Sequence, residues 1–115
     1  MLDAISAANY HYENLESLFK NYSERNLKNM SVIIDVNHSN SRKRPLEQIR
    51  ICKEVVEFFK YSYEIKSMVK GIMLESYLED GNQPLIGSVY GKSLTDPCLG
   101  WDKTEKLIYE IAERL

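Results

Sequence analysis

Two short apolar runs, Ser31–Val36 (SVIIDV) and Met68–Leu74 (MVKGIML), constrain the fold of this chain more than any other feature. The first is β-branched and apolar nearly throughout, the pattern of a parallel strand covered on both faces. Between the runs lies a helical pattern of about four turns, with Leu46, Ile49, Cys52, Val55, Val56 and Phe59 as its expected buried stripe. Pro45 suits the first turn of that helix, where its missing N–H costs nothing. Strand, helix and strand in this order argue for right-handed βα units in a parallel sheet, hence an α/β fold.

The flanks extend the pattern. From His11 to about Arg25, Leu15, Leu18, Phe19 and Tyr22 recur at helical spacing, and Asn26 to Asn29 break the run. Residues 1–8 are small and unpatterned and read as a frayed start. The segment HSNSRKR after the first strand reads as a polar loop, and Lys60 to Lys66 as a mixed connector. Asp102, with Glu105 at the capping-box offset, is expected to start a third helix, with Leu107, Ile108, Ile111 and Leu115 on its core-facing edge. At 115 residues the chain is expected to form a single domain, 1–115. A net charge of −2 gives no pull toward nucleic acid or an anionic membrane. No apolar run approaches the roughly 20 residues of a membrane helix, and the start lacks the basic region of a secretory signal. Cytosol is the expected compartment. Cys52 and Cys98 make neither a disulfide framework nor a CxxC site.

The stretch Gly71–Trp101 holds the chemistry. A strand ends in Glu75, and a long loop follows, punctuated by Gly81, Pro84, Gly87 and Gly91, with Asp96 near its end. Unstructured loops of this length are uncommon in compact domains and usually functional. Taken singly, each candidate has an ordinary reading. His38 reads as a hydrogen-bonded strand-end histidine, Glu75 as a solvated strand terminus, and Asp96 as a turn former before Pro97. The three lie too far apart in sequence to match any local metal motif. In parallel βα units, however, one imidazole and two carboxylates that follow apolar strands would converge at one rim. That mixed N/O set suits Mn, Fe, Co or Zn better than Ca.

The segments IIDVNHSNS, ESYLEDGNQ and YGKSLTDPCLGW, in order and in register, resemble the end of class I 3-deoxy-D-arabino-heptulosonate 7-phosphate (DAHP) synthase. The resemblance runs from about Asn9 to Leu115 and covers only the last part of that enzyme. It implies a C-terminal fragment of a (β/α)8 TIM barrel, about two βα units plus a preceding helix. It also implies the metal-dependent condensation of phosphoenolpyruvate with erythrose 4-phosphate, the first step toward aromatic amino acids. By the same resemblance, His38, Glu75 and Asp96 are metal ligands, Asp96 also lies near the sugar phosphate, and Lys92 matches a family lysine. Arg42, Lys43 and Arg44 form a basic cluster at the strand rim, with Arg42 and Lys92 as substrate-binding candidates against the plain reading of solvated side chains.

The departures matter equally. The family's fourth ligand, a cysteine near its first strand, has no counterpart here. Cys52 reads as a small core hydrophobe. The family's arginine in an Arg-Gly-Gly would lie just before Asn9, where this chain has Ile5-Ser6-Ala7-Ala8. Tyr77 stands where a histidine is often seen, and the loop from Gln83 to Val89 is shorter than in some relatives. The isolated chain is therefore expected to be incomplete and inactive, either self-associating or pairing with a chain that supplies the rest of the barrel. The alternative is a catalytically inactive binding or interaction module derived from the enzyme.

Overall fold

The computed structural model describes residues 7–115. Most of the unpatterned start, including Ile5 and Ser6, lies outside the described residues. The order is α1 (Tyr12–Glu24), β1 (Val32–Asp35), α2 (His38–Ser41), α3 (Glu47–Phe58), α4 (Tyr63–Met68), β2 (Val69–Met73) and α5 (Trp101–Arg114). The two strands pair in parallel, Ile33 with Gly71, Ile34 with Ile72 and Asp35 with Met73, with an irregularity between Val32 and Ile33. This is the α/β arrangement that the apolar runs imply.

Cover on both faces holds for only one. Successive strand side chains point to opposite faces. Ile34 and Val36 enter a core with Leu15, Ile51, Cys52, Val55, Ile65, Met68, Leu99 and Leu107. On the other face Ile33 is 67% exposed and Met73 46% exposed. The helices pack α3 against α5 and α1 against α4. No helix among the described residues is long and apolar enough to cross a membrane.

Several local expectations need correction. The α3 stripe is wider than expected, since Cys52, Val55 and Val56 are buried and Ile49 and Phe59 pack on the core as expected, but Gln48 and Ile51 are buried with them and Leu46 is exposed. A polar residue at position 48 hid the true period, because its amide is satisfied only by a distant strand. Leu18 of α1 is likewise exposed. HSNSRKR is not all loop, since its first four residues make the single turn α2. Local side-chain bonds support that turn, with Ser41 Oγ donating to Asn37 Oδ1 at 2.8 Å and Asn40 Nδ2 donating to the Asp35 carbonyl at 2.7 Å. The connector contains α4, capped by Ser62, whose Oγ accepts from the Ile65 N–H at 3.1 Å. Met68, expected to open the strand, closes this helix instead.

Helix α5 begins one residue before Asp102, and its cap comes from far along the chain. Asp80 Oδ1 accepts from the N–H of Gly100, the N-cap, at 2.6 Å, and Asp80 also pairs with Lys103. A Cβ on Gly100 would lie 2.8 Å from that carboxylate and 3.1 Å from the Asp80 backbone nitrogen, so only glycine admits the approach. Ile108 and Leu115, expected on the core edge, are exposed, and Thr104 is buried beside Leu107. The Lys103 pairing first, and the Gly100 N–H second, hold the Asp80 carboxyl below its usual range. A lowered pKa stabilises above the unfolded value of about 3.9 and is lost as pH falls through the folded one. Asp80→Ala is expected to cost about 1 kcal/mol near neutrality, kept small by solvent screening of this exposed pair. In urea melts the cost should vanish in strong acid.

The long loop between β2 and α5 is tied to itself. Gly81 and Cys98 exchange main-chain hydrogen bonds at 2.9 and 3.1 Å, and the Gln83 N–H reaches the Ser93 carbonyl at 2.8 Å. The Gln83 amide also donates to the carbonyls of Val89 and Lys92.

Candidate metal centre

Each of the three candidate ligands arrives by a different route. His38 follows β1 by three residues and has φ +48°, in the left-handed region. Arg42 and Lys43 share that conformation, so three strained non-glycine residues fall within one six-residue segment. Such strain persists only where surrounding contacts over-determine it, and it clusters at functional sites. Here the contacts are those of α2 and of the Asp35 carboxylate.

Glu75 lies two residues beyond β2, outside the pairing of β1 with β2. The side chain of Gln48, 0% exposed on α3, bonds to its main chain there. Its Oε1 accepts from the Glu75 N–H at 2.9 Å, and its Nε2 donates to the Glu75 carbonyl at 3.1 Å. The Leu99 N–H donates to the same carbonyl at 3.1 Å. Asp96 comes from the loop, where the neighbouring Thr95 carbonyl accepts from Asn82 Nδ2 at 2.8 Å and the Thr95 N–H donates to Ser93 Oγ at 3.1 Å.

These routes meet. One donor atom each from His38, Glu75 and Asp96 lies within 4.8 Å of the others, with all three residues partly exposed. His38 Nε2 is 3.0 Å from Glu75 Oε1. A cation about 2.1 Å from each donor sets neighbouring donors roughly 3.0–3.4 Å apart, so this pair fits as it stands and Asp96 needs a modest rotation. An imidazole with two carboxylates is a sound donor set for a first-row divalent ion.

Charge around the trio is arranged in pairs. The imidazole lies between Asp35, whose Oδ2 is 2.7 Å from Nδ1, and Glu75. Its pKa is raised, first by the hydrogen bond with Asp35 and further by the negative charges of Asp35, Glu75 and Asp96. Lys43 Nζ is 3.6 Å from Asp96 Oδ2. Within the basic cluster it is thus Lys43 that reaches the carboxylate, while Arg42 is exposed and makes no ion pair among the described residues. Lys92 lines a separate loop cavity with Tyr77, Leu78 and Gln83, and its charge acts on Asp80.

Neither cysteine is a member of the trio. Burial pushes the Cys52 thiol up to about 12, as befits a core residue. The Cys98 thiol donates to the Asp96 carbonyl at 3.5 Å, and its pKa too is raised, chiefly by burial. Sequence reasoning missed Asp35, Lys43 and Gln48 as partners of the site. Asp35 carried a signal, a carboxylate three residues before a histidine, whereas Gln48 carried none.

Comparison with known proteins gives one family. The model of the DAHP synthetase I family matches residues 3–108. The Trp-sensitive phospho-2-dehydro-3-deoxyheptonate aldolase of Enterobacter agglomerans is 39% identical over 108 residues, 91% of this chain and 30% of the relative. Its counterpart in Escherichia coli K12 is 33% identical over 107 residues, again 30% of the relative's length. Among solved structures, the phospho-2-dehydro-3-deoxyheptonate aldolase of Francisella tularensis SCHU S4 superposes with a TM-score of 0.84 at 30% identity. That match covers 94% of this chain and 31% of the other. The chain thus spans about three-tenths of the length of these relatives.

Proposed function

This chain belongs to the DAHP synthetase I family, and from that premise we propose that residues 1–115 are one partial domain, the C-terminal part of a (β/α)8 DAHP synthase barrel. The reaction is the condensation of phosphoenolpyruvate with erythrose 4-phosphate. The observation that carries the reading is the meeting of His38, Glu75 and Asp96 at the C-terminal ends of two parallel strands. In barrels of this class, catalytic groups sit at that end.

In this reading His38, Glu75 and Asp96 hold a divalent ion, Mn, Fe, Co or Zn, with a further ligand supplied from outside this chain. When bound, the ion supplies Lewis-acid polarisation of the sugar carbonyl. Asp96 has a second, catalytic role next to the sugar phosphate, because its loop lies over the strand ends. The Lys43 ammonium balances the Asp96 charge. Arg42 and Lys92 are assigned to substrate anions on charge alone. Gln48 and the self-tied loop keep Glu75 and Asp96 in register, which catalysis by positioning requires. The exposed sheet face of Ile33 and Met73 supports a complementary chain carrying the remaining βα units.

Titration of Mn²⁺ into the chain tests the centre. Wild type is expected to bind weakly, since the thiolate is lacking and Asp96 must rotate to reach the ion. His38→Ala/Glu75→Ala is expected to lose about 100-fold or more, beyond what loss of a supporting residue costs. Equal affinity in the two proteins would remove the centre.

A further inference from the structure

We propose that Asp35 is the positioning residue that presents His38 to the cation, fixing the imidazole so that Nε2 is the free donor. The inference rests on the metal-centre reading above and adds to it a residue outside the ligand set.

Asp35 is the last residue of β1, and it is immobilised independently of the histidine. Its Oδ1 accepts from the Asn37 N–H at 2.8 Å, and its main-chain carbonyl accepts from Asn40 Nδ2 at 2.7 Å. Asn40 is held in turn, its Oδ1 accepting from the Asn9 N–H at 2.8 Å. The remaining oxygen, Oδ2, lies 2.7 Å from His38 Nδ1. The other polar contact of the imidazole is Glu75 Oε1, itself one of the three candidate ligands. The histidine side chain is 43% exposed, so packing does not fix the ring, and the left-handed backbone departs from the regular helical setting.

The chemistry of the contact then decides which nitrogen is free. An ionised carboxylate is an acceptor only, so Nδ1 must carry the proton. Glu75 Oε1, 3.0 Å from Nε2, is an acceptor too, but Asp35 is the nearer of the two, so in the neutral ring the proton stays on Nδ1 and the lone pair on Nε2 is left facing the other two ligands, where a cation would replace the Glu75 contact. Asp35 itself is on the far edge of the ring and does not join the cluster of three. Partners of this kind set the tautomer and ring angle of a ligating histidine, and their loss typically costs about 10–100-fold in metal affinity.

The experiment uses the full chain as wild type, Asp35→Ala, Asp35→Asn, His38→Ala and the Asp35→Ala/His38→Ala pair. Mn²⁺ affinity is measured by titration and folding by circular dichroism. Nitrogen NMR of the metal-free imidazole, above its titration range, reads the tautomer. Asp35→Ala is expected to weaken Mn²⁺ by about 10–100-fold and to move the proton from Nδ1 toward Nε2. Asp35→Asn, which keeps an acceptor, should recover part of both. On the His38→Ala background the Asp35 change should have no further effect. Wild-type affinity and tautomer in Asp35→Ala, with binding lost in His38→Ala, would overturn this proposal and leave the metal centre standing. An equal loss on both backgrounds would also overturn it, since Asp35 would then act elsewhere. Binding unchanged in His38→Ala would defeat the metal centre itself. Should Asp35→Ala fail to fold, Asp35→Leu, similar in size and without an acceptor, decides, and a proton kept on Nδ1 as in wild type with unchanged affinity counts against the role.

Discussion

Gln48→Leu is expected to destabilise the chain by about 2–3 kcal/mol and to loosen the cation site with it. The amide of Gln48 is fully buried, and both of its ends are used on one residue, Glu75. Leucine fills nearly the same space, so packing changes little and the loss is of hydrogen bonds. The Glu75 carbonyl keeps the Leu99 N–H at 3.1 Å, but the Glu75 N–H loses its acceptor. An orphaned buried donor costs about 1–3 kcal/mol, and the second lost bond about 1 more, partly offset by the apolar replacement. Domains are stable by only about 5–15 kcal/mol, so a shift of this size should be plain in a urea melt. Gln48→Glu should recover part of the loss, since a carboxylate can accept from the Glu75 N–H but, when ionised, cannot donate to its carbonyl. A Gln48→Leu protein as stable as wild type would show that the pairing contributes nothing.

The second large effect concerns activity. This chain mixed with a polypeptide carrying the preceding part of a relative's barrel is expected to turn over phosphoenolpyruvate and erythrose 4-phosphate, and the chain alone is not. The chain spans 30% of its relatives, and one face of its two-stranded sheet presents Ile33 and Met73 to solvent. Burying an isoleucine side chain is worth about 1.5–3 kcal/mol, so the face favours cover. Ile33→Lys places an unpaired charge there and should weaken assembly by about tenfold or more, with activity falling in parallel. Turnover by purified chain, free of any host synthase, would contradict the expectation. So would a stable mixed complex that stays silent, or one indifferent to a charge at position 33.

Much of the scaffold is written locally. Continuous apolar runs and helical spacing identified β1, β2 and three of the five helices among the described residues, because burying an apolar face depends on residues a few positions apart. His38, Glu75 and Asp96 were singled out by their places after apolar strands and assigned as ligands through a resemblance, since no short spacing links them. The tertiary structure decided what local rules cannot reach. Gln48 faces the core because a strand end 27 residues on satisfies its amide. Gly100 is capped by Asp80, which displaced the expected box at Asp102 and Glu105. Lys43 rather than Arg42 meets Asp96, because two consecutive left-handed residues set which side chain turns inward. A polar side chain's partner is fixed by where the fold brings the backbone, and for these residues that partner is remote in sequence. Apolar burial is collective and tolerant, so it can be read from pattern, whereas a hydrogen bond needs one atom at one distance.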